Sequence, residues 1–465
     1  MNMQTNNVTK NMNRDSDYYA KRLKRMIACK TVSVKGSYDD TEFAKLRQVV
    51  RELFPLVHEK AEYKVFSDDC WVYRLSGDSD YSVSGKEKQA HNQSRNIMLM
   101  SHHDVVAADN EKWSVSAFGG EICGGKIFGR GTVDTKTPLF AEFSAIEELL
   151  EEGEELPCNV YIVSSHNEEI GGDGVPEALK YFKNEGIKFE VILDEGGAVI
   201  EPPLANMRCE KCAMVAVHEK GRYYLSCETR DASGHAGLTA ASSQSAIDRM
   251  TAFMGEINNS KVFIRRLNKE VCAMFKHLAP HCNFPMNFVL SHLRLTGGII
   301  KKVLPKLNPQ AAGLIGTTCS FTEISGRSGN EKYCKAKAFL RPVSSEDLQK
   351  DIDSFMRIAE KYEIEVTIDE GSEYHEPADM TRPPFAYMMK CLGECFPQYP
   401  ASPFILPAGT DARTFTDICD CVLRFAPIRL SAQQLTSVHG EDENIDVAAI
   451  AEAVAFYRHF VQNYH

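Results

Sequence analysis

A chain of 465 residues, 43% hydrophobic and 25% charged, has the make-up of a globular protein and is long for one core, so two domains or a domain with an insert are expected. Its formal charge of -11 argues against a nucleic-acid surface, because no basic stripe is present to neutralise phosphates. No apolar run reaches bilayer-spanning length and the polar start lacks the apolar core of a signal peptide, so neither a membrane partner nor export is expected. The fifteen cysteines are scattered, many in apolar contexts such as MIACK and ICDCVLRF, which suggests reduced, partly buried thiols and a cytoplasmic setting. Cys209 and Cys212 form one C-x-x-C, but no second pair stands at ribbon spacing.

Apolar residues at helical spacing predict two amphipathic helices, from Tyr18 to about Cys29 and from Thr41 to about Phe54. After a polar loop, strand NIMLM, helix LFAEFSAIEELLEEG, strand NVYIVSS, helix PEALKYFKNEG and strand FEVILDE alternate. That order indicates an α/β class with a mostly parallel sheet and helices on both faces. Near residue 217 the style changes: RYYLSCETR alternates like an antiparallel strand, and SSQSAIDRMTAFMGEI reads as a helix. KYCKAKAFLRPV, SEDLQKDIDSFMRIAEKY and EIEVTID then complete a strand–helix–strand unit. The expected organisation is a catalytic α/β domain over 1–216 and 372–465, interrupted by an inserted α+β lid and dimerisation domain over 217–371. GSEYHEPAD is the expected return hinge, and DVAAIAEAVAFYRHFVQNYH the closing helix.

Four segments of the outer domain, SHHDVV, GRGTVDTK, SSHNEEIGG and ILDEGG, place acidic or histidine residues at strand or loop ends, and SVHGEDENI adds a fifth. Any one alone is more readily explained as structural. Five such endings, where an α/β sheet gathers its ligands, are not. Nitrogen and carboxylate donors without thiolate suit zinc or a similar divalent ion in a catalytic site.

The ordered motifs H-x-D-V-V, W…F-G-G…I-F-G-R-G…D-x-K, E-E-x-G-G, D-E-G-G, a G-H pair, G-T-D-x-R and H-G-x-x-E span about residue 95 to the C-terminus. With them the chain resembles the di-zinc aminoacylase and carboxypeptidase family of zinc-exopeptidase-like fold. That family includes carnosinase-type dipeptidases, glutamate carboxypeptidase and desuccinylases. The vacuolar carboxypeptidase and N-fatty-acyl-amino-acid hydrolase branch is most alike. The resemblance implies two zinc ions per subunit, with manganese or cobalt as alternatives. It gives His102 to the first, Asp134 as a bridge, and Glu169 and His439 to the second. Asp104 would orient His102, and Glu168 would be the general base. In LDEGG either Asp194 or Glu195 fills the remaining position, with Glu195 favoured because it stands just before a glycine. His103, in the variable middle position, is read as a packing or surface histidine.

His235 in DASGHAGL would stabilise the tetrahedral oxyanion, reaching the site by domain closure or from a dimer partner. Arg413 would clamp a substrate carboxylate with Asp411 orienting it, and Arg341 is a second carboxylate-binding candidate, although relatives place more residues before the following proline. Thr135 stands where many relatives carry a second aspartate. The implied function is hydrolysis of an amide bond next to a free carboxylate, as in a dipeptidase or carboxypeptidase. An N-acyl-amino-acid amidohydrolase is the alternative. A non-hydrolytic binding protein on the same fold should have lost Glu168 or several ligands, and all are present. A homodimer through the insert is implied. The apolar insert from about Lys261 to Phe321 reads either as a cover for the substrate pocket or as ordinary core or dimer surface.

Overall fold

The run NIMLMSH forms a strand buried at every position, and NVYIVSS, equally buried, pairs with it in parallel from Asn96–Asn159 to His102–Ser165. A strand covered on both faces needs apolar side chains on both, so unbroken hydrophobicity marks it. The structure, a computed structural model, describes residues 14–77, 95–204, 206–231, 245–259, 262–307, 313–327, 332–343, 345–371 and 375–464. The chain divides into two compact units, one of residues 1–189, 198–200 and 426–465, the other of 190–197 and 201–425.

In the first unit, strands β1 (Glu62–Phe66), β2 (Cys70–Leu75), β3 (Asn96–His102) and β4 (Asn159–Ser165) lie in the order β1-β2-β4-β3. The two β2 pairings are antiparallel and β3–β4 is parallel. The helices expected near residues 18 and 41 run Ser16–Ile27 and Asp40–Leu53; their starts are set by Asp15, which accepts from Tyr18 N, and Asp39, which accepts from Thr41 N. Helix Lys136–Glu151 packs on β3, on Ser16–Ile27 and on the closing helix Val447–Gln462. Three short strands, Glu121–Cys123, Lys126–Phe128 and Asn444–Asp446, form an antiparallel sheet. It pins the chain after His439 against the chain before Asp134.

The second unit carries β5 (Val191–Asp194), β6 (Cys212–Glu219), β7 (Tyr223–Arg230), β8 (Thr318–Arg327), β9 (Tyr333–Arg341), β10 (Glu365–Gly371), β11 (Ala401–Leu406) and β12 (Val422–Arg424). One group has the order β5-β12-β6-β11, with β5–β12 and β6–β11 parallel. The other is a fully antiparallel sheet, β8-β9-β7-β10, within the expected insert. On β9 burial alternates residue by residue, as one covered face demands. The covered face, including Leu225, Ala338 and Leu340, packs with helices Ala246–Asn259 and Ser345–Lys361, where Phe253 meets Phe355 edge to face at 5.3 Å. The apolar stretch within 261–321 is largely helical: Lys269–Leu278, Met286–Ser291 and Leu293–Leu307.

His218 on β6 is buried, and burial with the nearby Arg424 charge pushes its imidazole down to about 4. Between that value and 6.5 the unfolded chain binds a proton that the folded chain refuses, so stability rises with pH across the window and the contribution is fully lost below it. Wild-type protein is expected to lose up to about 3 kcal/mol from this group on acidification through that range. Urea unfolding at stepped pH should show a shallower loss in His218→Gln; an identical profile would remove His218 as the cause.

Candidate metal centre

Strand β3 delivers His102 at its last residue, and the turn Glu168–Ile170 follows three residues after β4. Because β3 and β4 are parallel neighbours, both arrive at the same edge. Alternation along a strand sends His102 and His103 to opposite sides. His103 stacks on Trp71 at 3.9 Å, with Nδ1 2.8 Å from Ser164 Oγ and Nε2 3.5 Å from Asp69 Oδ2. It is a buried packing residue.

Asp104 has two tasks. Its Oδ1 accepts from Glu168 N and its Oδ2 from Glu169 N, each at 3.2 Å, and Ser33 Oγ donates to Oδ2 at 2.6 Å. It also lies 3.3 Å from His102 Nδ1, whose nearer acceptor is the Asp104 carbonyl at 3.0 Å. These bonds leave Nε2 of His102 to face Asp134. Burial alone would raise the Asp104 carboxyl, yet His102 and Ser33 hold it below the ordinary range.

Asp134 stands between two imidazoles, Oδ1 2.9 Å from His102 Nε2 and Oδ2 3.1 Å from His439 Nε2. His439 Nε2 is also 2.9 Å from Glu169 Oε2. Hydrogen bonds to Asp134 and then Glu169 push the His439 imidazole up to about 10, a measure of the negative charge focused there. Burial opposes ionisation of Asp134, but His102 and His439 hold its carboxyl well below the usual range.

The loop bearing Asp134 is held by Glu443, the last residue of H-G-x-x-E, to which no sequence pattern assigns a role. Glu443 accepts from Val133 N at 2.7 Å, Asp134 N and Gly131 N at 3.2 Å, and Arg130 Nη1 at 2.6 Å. Arg130 and Glu443 are both buried, so this is a charge pair shielded from water. Gly131 sits at φ 89, where an added Cβ would stand 2.9 Å from Val105 Cγ1, so backbone approaches strand end with no room for a side chain. The Asp134–Thr135 peptide is cis.

The donors fit a divalent cation. Asp134, Glu169 and His439 present ligand atoms within 4.8 Å of one another, all oxygen or nitrogen. Glu169 Oε1 is buried with no hydrogen-bond partner among the described residues, an orphan that a cation would satisfy.

In the second unit, Asp194 Oδ1 accepts from Glu195 N at 2.8 Å and Oδ2 from Ala412 N at 3.1 Å, while burial pushes its carboxyl up to about 7. Both oxygens hold backbone. Glu195 is only half-buried and precedes Gly196, at φ 112. Asp411 and Arg413 lie in the turn Asp411–Phe415, and an added Cβ on Gly409 would stand 2.6 Å from Arg413 Nη1. Glu219, unremarked in the sequence, holds this loop: it accepts from Thr410 N at 3.0 Å, Thr410 Oγ1 at 2.8 Å and Arg424 Nε at 2.6 Å. Arg341, at the end of β9, donates through Nη2 to Lys220 O at 3.5 Å, and its Nε is buried without a partner among the described residues. His235 lies outside the described residues.

The sequence matches the model of Peptidase family M20/M25/M40 over residues 98–463. The chain belongs to that family. It is 28% identical over 457 residues to the probable carboxypeptidase S-like 2 of Dictyostelium discoideum, covering 96% of this chain and 84% of that one. To the human N-fatty-acyl-amino acid synthase/hydrolase PM20D1 it is 26% identical over 459 residues, covering 95% of this chain and 86% of that protein. The M20 metallo-carboxypeptidase Sso-CP2 of Sulfolobus solfataricus shares the fold, with TM-score 0.64 at 16% identity, over 96% of this chain and 99% of that one. The M20 chain described here is a metal-dependent hydrolase, and its α/β class with a mixed, mostly parallel sheet is that of the family.

Proposed function

We propose that the protein hydrolyses an amide bond next to a free carboxylate, in a dipeptide or at a C-terminal amino acid, with Glu168 as general base. The observation that carries this reading is the convergence of Asp134, Glu169 and His439 beside a loop whose Glu168 and Glu169 amides are both held by Asp104. His102, Asp134 and Glu195 would hold one ion, and Asp134, Glu169 and His439 the other. Glu195 is preferred because both oxygens of Asp194 already accept backbone N–H groups. Bound there, two zinc ions, or manganese or cobalt in their place, acidify a water and polarise the amide carbonyl.

Glu168 takes a proton from the attacking water and returns it to the leaving nitrogen. His235 donates to the tetrahedral oxyanion, from the same chain or from a partner. Arg413, set by the Glu219-anchored loop, and Arg341 bind the substrate carboxylate, with Asp411 orienting Arg413. Residues 217–371 act as lid and dimer contact; the largely exposed edge strand β8 supports pairing with a second copy. All fifteen cysteines are free, which supports a reducing cytoplasm.

A second reading, hydrolysis of N-acyl amino acids, is favoured by the near-full-length similarity to proteins named for that activity. The two differ only on the acyl side of the scissile bond. Zinc-reconstituted protein assayed on dipeptides, acetyl amino acids and long-chain acyl amino acids separates them. Preference for dipeptides by at least about tenfold in kcat/KM supports the first reading. Preference for acyl amino acids replaces it with the second, and no turnover on any contradicts both.

A further inference from the structure

The acid balance of the chain is broken in one place. From Val271 to Thr322 the sequence has no Asp or Glu, yet it carries Lys276, Arg294, Lys301, Lys302 and Lys306 in a chain of net charge -11. The same stretch holds the three most exposed large apolar side chains described, Phe284 at 81%, Leu295 at 79% and Ile299 at 62%, together with Phe288 at 52% and Val303 at 41%. The coincidence is spatial as well as compositional. On helix Leu293–Leu307, Gly297 and Ile300 are buried on the inner side, while Leu295, Ile299 and Val303, spaced four apart, line up on the outer side. Arg294 and Lys302 are exposed on the row beside them. Met286–Ser291, immediately before, adds Phe288, and the preceding turn adds Phe284.

We propose that this face docks on an anionic lipid surface, with the apolar row lying among the acyl chains at the headgroup boundary and Arg294 and Lys302 reaching lipid phosphates. Surface apolar residues scattered singly need no explanation, but a row of three on one helix, with two more exposed phenylalanines in the ten residues before it, does. Apolar side chains flanked by cations on one outer face, with no acid in the segment, match a helix lying in the plane of a bilayer interface. The charge argument selects the lipid. A net-acidic protein is drawn to an anionic membrane most readily through a segment that carries cations and no acid, so attraction and orientation come from the same residues. The absence of a membrane partner expected above rests on spanning length, which a helix lying flat does not need.

The test is flotation of the full chain with vesicles of phosphatidylcholine alone and of phosphatidylcholine with about one-third phosphatidylserine. Wild-type protein is expected to float with the anionic vesicles and far less with the neutral ones. Arg294→Gln with Lys302→Gln should weaken binding about thirtyfold, the equivalent of two lost cations. Leu295→Asp with Ile299→Asp should abolish it, and thermal melting should stay unchanged because these positions are exposed. Wild-type protein that stays off the anionic vesicles, or Asp variants that bind like wild type, would overturn the proposal. So would sedimentation equilibrium showing that the Asp pair turns a dimer into a monomer while no variant binds vesicles; that result gives the stripe to a second copy.

Discussion

Glu168→Gln is expected to lower kcat by about three orders of magnitude, with KM and zinc content close to those of wild type. The amide keeps the size of the side chain and the loop bonds from Glu168 N and Glu169 N to Asp104, so the neighbouring Glu169 stays in place. What it loses is a carboxylate able to take a proton from water and hand it on. Loss of kcat with metal retained assigns the proton to Glu168. A drop of less than about tenfold would move the base elsewhere.

Glu443→Ala should cost about 3–5 kcal/mol of folding stability, because it strands the buried Arg130 guanidinium without its partner. The same carboxylate accepts from Gly131 N, Val133 N and Asp134 N, so its loss frees the loop that presents Asp134. Metal affinity should therefore fall by about 10–100-fold, the usual cost of losing a group that orients a ligand. Urea unfolding and a zinc titration read the two effects separately. Glu443→Gln, which keeps an acceptor, should recover part of the affinity. A variant with wild-type stability and affinity would show that the Arg130–Glu443 pair is not what holds the loop.

The strands nearest the site were legible because burial on both faces leaves an unbroken apolar run, as in NIMLM and NVYIVSS, and because each ends in chemically demanding residues. His102, Asp134, Glu168, Glu169 and His439 stand out as residue types that a chain rarely places together without use. Glu443 and Glu219 could not be assigned roles in the same way. Each acts through backbone N–H groups far off in sequence, Asp134 N being 309 residues from Glu443 and Thr410 N 191 from Glu219, and no local pattern encodes that distance. The hairpin β1–β2 was not announced either. Its first strand is mostly exposed, so no clear alternation marks it. The helices between Lys269 and Leu307 were masked by their own composition: apolar residues fall on the outer as well as the inner side of Leu293–Leu307, which blurs the period.

The most direct test of the metal centre strips the protein with a chelator and follows hydrolysis of its best substrate as zinc is returned. No turnover is expected in the stripped protein, followed by a rise that levels off at two equivalents per chain. His439→Ala, which removes one side of the Asp134–Glu169–His439 group, is expected to fail to take up the second equivalent. Full activity in the stripped protein, or a His439→Ala variant that binds two zinc ions and turns over like wild type, would contradict the proposed centre.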